Sequence, residues 1–157
     1  QKALKFHPLI WRKSHRLNVS GAVVDDDFVE TINALPRLQY LHLVDPVFAL
    51  EYSATPRKAL PLVTISGGTV DPASLTMLGS FECSLRLIGC TLNLPVDEPF
   101  EMRETKAIWI ERCSLTDDLL LRFVDLPNLK WFTTRSDAVT KAARDTFRET
   151  RPDVSIE

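Results

Sequence analysis

Charge of one sign, cysteine and long apolar stretches are all scarce in this sequence. Nineteen basic side chains against twenty-one acidic ones leave a formal charge of −2. No electrostatic footprint is present to gather phosphates non-specifically, so nucleic acid is not expected as a partner. The three cysteines, Cys83, Cys90 and Cys113, are odd in number and lack C-x-x-C spacing, which argues against both a disulfide framework and a zinc knuckle. Thiols kept reduced in a cytoplasmic setting are the expectation. No apolar run approaches the roughly 18 residues of a spanning helix. The start Gln1-Lys2-Ala3-Leu4-Lys5 lacks the apolar core of a secretory signal. Direct membrane insertion of this segment is therefore not expected.

Catalytic signatures are missing as well. Neither G-x-S-x-G nor G-x-x-x-x-G-K-[ST] occurs, and His7, His15 and His42 fall in no H-x-H or H-E-x-x-H pattern. His42 and Asp45 are the only adjacent pair that could serve ionisable chemistry. The expectation is a non-enzymatic protein with no catalytic residue, no metal and no cofactor. The run Asp25-Asp26-Asp27 offers hard oxygen ligands to a cation, but its place at a helix start favours a cap and two dipole-stabilising carboxylates.

What the sequence does contain is a repeat. An eight-residue frame (apolar, x, apolar, four variable residues, apolar) begins at Leu17, Leu41, Val63, Leu85, Ile108 and Phe132, in steps of 24, 22, 22, 23 and 24 residues. A further step of 22 reaches Val154-Ser155-Ile156, which reads as a closing strand. One such unit cannot bury its apolar side, so units must stack, and their strands must lie in parallel. After the last apolar residue come Asp25, Ala49, Asp71, Asn93, Thr116 and Thr140, mostly helix N-capping types, and Pro72 follows at a first helical position. Units one, three, five and six therefore predict short helices. Units two (49–61) and four (93–105) carry Pro56, Pro61, Pro95 and Pro99 and predict extended or irregular returns. Ile32, Pro56, Leu78, Phe100, Phe123 and Phe147 occupy one equivalent position, expected on the inner side of each return.

The phrases Leu35-x-x-Leu38-x-x-Leu41-x-Leu43, Leu126-x-x-Leu129-x-x-Phe132 and Leu115-Thr116-Asp117-Asp118-Leu119 resemble the leucine-rich-repeat family, in its short bacterial and cysteine-containing forms. The resemblance spans residues 17–157. It implies an α/β leucine-rich-repeat solenoid: a short, curved parallel sheet of six to seven strands, with short helices or irregular segments on the convex side. Residues 1–16 would form an N-terminal capping segment, with Trp11 plugging the first unit. The family's inward Asn/Cys position falls on Ala22, Pro46, Gly68, Cys90, Cys113 and Asp137, and implies that the two cysteines are buried thiols bonded to loop backbone.

Alternation along each strand places Asn18, His42, Thr64, Arg86, Trp109, Thr133 and Ser155 in one column of the concave face. The flanking columns are Arg16, Tyr40, Leu62, Ser84, Ala107, Trp131 and Asp153, and Ser20, Val44, Ser66, Ile88, Glu111, Arg135 and Glu157. Aromatic and arginine side chains of the kind that dominate interfaces fall within them. The expected protein-binding face comprises Tyr40, His42, Arg86, Trp109, Glu111, Trp131 and Arg135. The expected function is a protein-protein interaction module. The alternative is a structural or adaptor subunit of a larger assembly, like an F-box adaptor or an anchored bacterial repeat protein, with its effector or anchor upstream of Gln1.

Overall fold

The computed structural model describes residues 14–50 and 59–157. Seven strands, β1 (Arg16–Ser20), β3 (Tyr40–Val44), β5 (Ala59–Ser66), β7 (Glu82–Ile88), β9 (Ala107–Glu111), β10 (Trp131–Arg135) and β11 (Ser155–Ile156), form one parallel sheet in chain order. Its register follows the sequence frame: Leu17 pairs with Leu41, then Val63, Leu85, Ile108 and Phe132. All six are buried. Two-residue strands at the frame ends pair separately, β2 (Val23–Val24) with β4 (Val47–Phe48) and β6 (Thr69–Val70) with β8 (Thr91–Leu92).

Helices α1 (Asp26–Asn33), α2 (Pro72–Gly79), α3 (Asp117–Leu121) and α4 (Lys141–Thr150) occupy the four returns expected to be helical. Each is started by the expected cap. Asp25 accepts from the Phe28 N–H at 2.8 Å, Asp71 from Ser74 at 2.8 Å, Thr116 from Leu119 at 3.4 Å and Thr140 from Ala143 at 3.2 Å. Each bond satisfies an N–H that the first helical turn leaves without a partner. Asp25 thus acts as a cap. The return over 93–105 contains no helix. The capping segment proposed for residues 1–16, including Trp11, and the positions around Pro56 lie outside the described residues except at 14–16, where Arg16 opens β1.

The returns seal the core with large apolar groups at the anticipated spacing. Ile32, Leu78, Phe123 and Phe147 are buried, and Phe100 packs against the same core while partly exposed. Phe100, Phe123, Phe132 and Phe147 run through successive units with ring centroids 5.3, 5.3 and 5.6 Å apart. The rings are tilted, which suits their quadrupoles better than face-to-face stacking.

Each of the first five units turns its corner on a residue of positive φ at the fifth frame position: Gly21 (62°), Asp45 (47°), Gly67 (72°), Gly89 (61°) and Arg112 (55°). The N–H groups of Gly21, Asp45, Gly67 and Gly89 donate at 2.8 Å to Val44, Ser66, Ile88 and Glu111 respectively, carrying the ladder past the strand ends. Here two expectations are corrected. The sixth corner has no left-handed residue, so the inward polar side chain is Ser136, whose hydroxyl donates to the Leu115 carbonyl at 2.9 Å, while Asp137 is exposed. In the closing strand Phe132 pairs with Ile156 and Trp131 with Ser155, so the register is two residues later than Val154. Backbone bonds from Ser155 to Lys130 and from Glu157 to Phe132 fix it. Asp153 consequently leaves the sheet column and pairs with Arg151 at 2.9 Å.

Candidate functional site on the open sheet face

Alternation buries one side chain of each strand pair in the core and turns the next outward, giving an exposed-buried-exposed pattern along β1 and the same alternation, with a half-buried Thr133, along β10. All seven expected site residues lie on the outward face. They do not form one cluster. Tyr40 and His42 sit on β3, four strand steps from β10 and hence roughly 19 Å from Trp131.

The larger group spans three adjacent strands. Arg86 on β7 is level with Trp109 on β9, and Glu111 on β9 is level with Arg135 on β10. Arg86 Nη2 donates to Glu111 Oε1 at 2.8 Å, a diagonal cross-strand pair in which the Glu111 side chain is 19% exposed and that of Arg86 43%. A pair this open to solvent contributes under about 1 kcal/mol. Its effect is to tie the guanidinium to the neighbouring strand. Trp109 is half-buried, whereas Trp131, level with the small Ala107, is 56% exposed. Arg135 is exposed at the far end of β10. The arrangement offers two indoles and two guanidiniums to an approaching chain, with one carboxylate already engaged.

The smaller group carries two residues that sequence reasoning placed in the columns without singling out. Arg16 lies over the Tyr40 ring, 4.9 Å from its centroid, and His42 Nε2 is 2.9 Å from Ser66 Oγ. Both partners occupy the same or next column one unit away, which is the signal that could have found them. The His42 contact is a polar link between neighbouring strands. Asp45 forms a corner with its carboxylate against Gly67.

A depression lies between the returns of units four and five. Left by the helix-free return of unit four, it has a volume of about 540 Å³ and is lined by Val96, Asp97, Phe100, Arg103, Arg122 and Pro127 among others. Arg122 is already committed there. Its Nη1 donates to the carbonyls of Leu94 and Pro95 at 2.8 and 2.9 Å, its Nη2 donates to that of Glu98, and its guanidinium covers the Phe100 ring at 4.9 Å. Arg151 does the same for the next return, donating to Val124, Leu126 and Leu129 carbonyls at 2.6, 2.8 and 3.3 Å. Arg122 thus satisfies carbonyls of a return that has no helix, and Arg151 satisfies carbonyls at the end of the helical return before it.

The cysteines are free and buried, as the resemblance implied for Cys90 and Cys113. Cys90 Sγ points to the Ile65 and Ile88 carbonyls at 3.5 and 3.6 Å, and Cys113 Sγ accepts from the Cys90 N–H at 3.3 Å. Among the described residues, no three of His, Cys, Asp or Glu gather closely enough to hold a metal ion, and no helix is long and apolar enough to cross a membrane. No protein-family model matches the chain, and no curated protein matches it.

Proposed function

We propose that this chain is a protein-interaction module, built as a short leucine-rich-repeat solenoid, which receives a protein partner on the open face of its sheet. The exposure of Trp131 carries this reading. A large indole left more than half in solvent, beside a second indole and two guanidiniums, is the composition of an interface anchor rather than of an ordinary surface. The repeat reading is supported by the frame steps of 22 to 24 residues and by the left-handed corner that recurs in five units. The binding centre is Arg86, Trp109, Glu111, Trp131 and Arg135, with Tyr40 and His42 as an outlying contact reached only by a partner that crosses most of the sheet. The reading assigns the chain no catalytic role.

The test is to isolate a partner on the immobilised chain and then titrate that purified partner against the wild type and a Trp109→Ala/Trp131→Ala variant. Loss of two central anchors weakens binding by at least about tenfold, since each such truncation commonly costs 1 kcal/mol or more. Equal affinity of a folded double variant overturns the assignment of this face.

A further inference from the structure

We infer that Cys90 and Cys113 form an oxidation-sensitive dithiol, which a small peroxide closes into a disulfide joining two neighbouring units. The inference rests on their placement and is independent of any binding partner. Ile88 and Glu111 are register partners in β7 and β9, and each cysteine lies two residues beyond its strand's member of that pair. The bond from Gly89 N–H to the Glu111 carbonyl, at 2.8 Å, keeps the two backbones at ladder spacing past the strand ends. Parallel neighbours at that spacing, about 4.8 Å, fall within the Cα separation of about 4.4–6.8 Å that a disulfide accepts. Both side chains turn inward, and the 3.3 Å contact from Cys90 N–H to Cys113 Sγ brings one sulfur against the other residue's backbone.

The chemistry of the two thiols is unequal. The Cys90 thiol facing Cys113 holds the Cys113 thiol down, to about 7, with burial acting in the opposite direction. That same contact, together with burial, pushes Cys90 up. Near neutrality Cys113 is the nucleophile and Cys90 keeps its proton. Cys83, further back in β7, donates to the Leu78 carbonyl at 3.7 Å, and burial pushes it up to about 12 against the opposing effect of Thr105. The corner is where a small peroxide would reach the pair. Cys90 and Cys113 keep 3% and 6% of their surface in solvent, and their chain neighbours Gly89, Arg112 and Ser114 are exposed.

The Cys113 thiolate attacks one peroxide oxygen. The O–O bond breaks, hydroxide leaves and takes up a proton as water, and Cys113 becomes a sulfenic acid. The Cys90 sulfur then attacks that sulfur, the S–S bond forms, the S–O bond breaks, and the departing hydroxide takes the Cys90 proton as a second water. Two thiols are oxidised by two electrons and one peroxide is reduced to two waters.

The experiment treats the folded chain with hydrogen peroxide at pH 7.5, then unfolds it, alkylates it and maps its peptides by mass. One alkylated thiol, Cys83, and a linked peptide containing Cys90 and Cys113 are expected, lighter by two hydrogens than the reduced pair. The Cys83→Ser chain gives the same linked peptide, and the link forms about tenfold faster in the folded chain than in urea. Three alkylated thiols overturn the inference. So does a predominant link through Cys83, over-oxidation of Cys113 with Cys90 still alkylated, or an equal rate in urea.

Discussion

Trp131 and Phe132 are consecutive residues of β10, yet the first is 56% exposed on the open face and the second is fully buried between the rings of Phe123 and Phe147. A single peptide step separates the surface proposed for recognition from the centre of the core. The two positions give the sharpest contrast for separating function from stability. Phe132→Ala is expected to cost about 3–5 kcal/mol, the usual range for emptying a packed aromatic site. Trp131→Ala is expected to stay within about 0.5 kcal/mol. Urea denaturation of both variants measures the difference, and a Trp131 variant as unstable as the Phe132 variant contradicts the assignment of faces.

Glycine 79 closes α2 where the next units pass close by. A β-carbon there would stand 2.5 Å from Met102 Cα and 2.6 Å from Met102 Cβ, so backbone as well as side chain must move. Gly79→Ala is expected to lose about 1–3 kcal/mol to overpacking. Gly89 is different: an added β-carbon meets nothing within 4 Å, and only its φ of +61° resists. Asn, which tolerates that conformation, should substitute at Gly89 with little loss while Ala costs more. Thermal melts of the three variants rank them.

Arg122 supplies hydrogen bonds to three carbonyls of a return that has no helix of its own. Arg122→Ala leaves those carbonyls to water and uncovers Phe100. About 1.5–3 kcal/mol is at stake for a charge-assisted set of this kind. Lys restores the charge without the fork and should recover less than half of the loss. Amide hydrogen exchange gives the local readout: protection over 94–104 falls in both variants, whereas protection of α4 is unchanged.

Acid should act on two exposed pairs. Arg151, donating to Asp153, holds that carboxyl well below its ordinary value of 3.8, and Lys106 lowers Glu82 from 4.5 in the same way. Both carboxylates therefore bind protons more weakly in the folded than in the unfolded chain. Their contribution is complete above the ordinary carboxylate range and is lost as pH falls through the depressed folded values. Melting temperature should be level from pH 7 to about pH 5 and fall below about pH 4, with a shallower fall in Asp153→Asn. An identical acid limb in that variant removes Asp153 from the explanation.

The periodic part of the fold was legible because it is written in residue types whose burial is obligatory. Leu17, Leu41, Val63, Leu85, Ile108 and Phe132 mark the strands, and Asp25, Asp71, Thr116 and Thr140 mark the helices. Corners were harder. Gly21, Gly67 and Gly89 advertise a left-handed conformation, but Asp45 and Arg112 adopt it too, because the hydrogen-bonded ladder dictates the corner whatever side chain is present. Where the ladder changes, at the sixth corner, extrapolation by frame chose Asp137 in place of Ser136. The carbonyl-binding roles of Arg122 and Arg151 were invisible, since each acts on a segment 22 to 28 residues earlier with no local pattern. On the open face the columns gave the order of the residues without their spread: Tyr40 and His42 stand two strand steps from Arg86 and four from Trp131.

The corner bond has a bearing on how such a chain can lengthen. Gly21, Asp45, Gly67 and Gly89 each hand the same N–H to the same position in the following unit at the same 2.8 Å. The joint is therefore blind to which two units it unites. A duplicated stretch of 22 to 24 residues could be spliced in at any of these joints and find its backbone partners already waiting on both sides. A copy would still have to reproduce the fit of the aromatic rings and the close approach of Met102 to Gly79. A gene encoding this architecture can grow by counting, while its outward columns are rewritten one residue at a time.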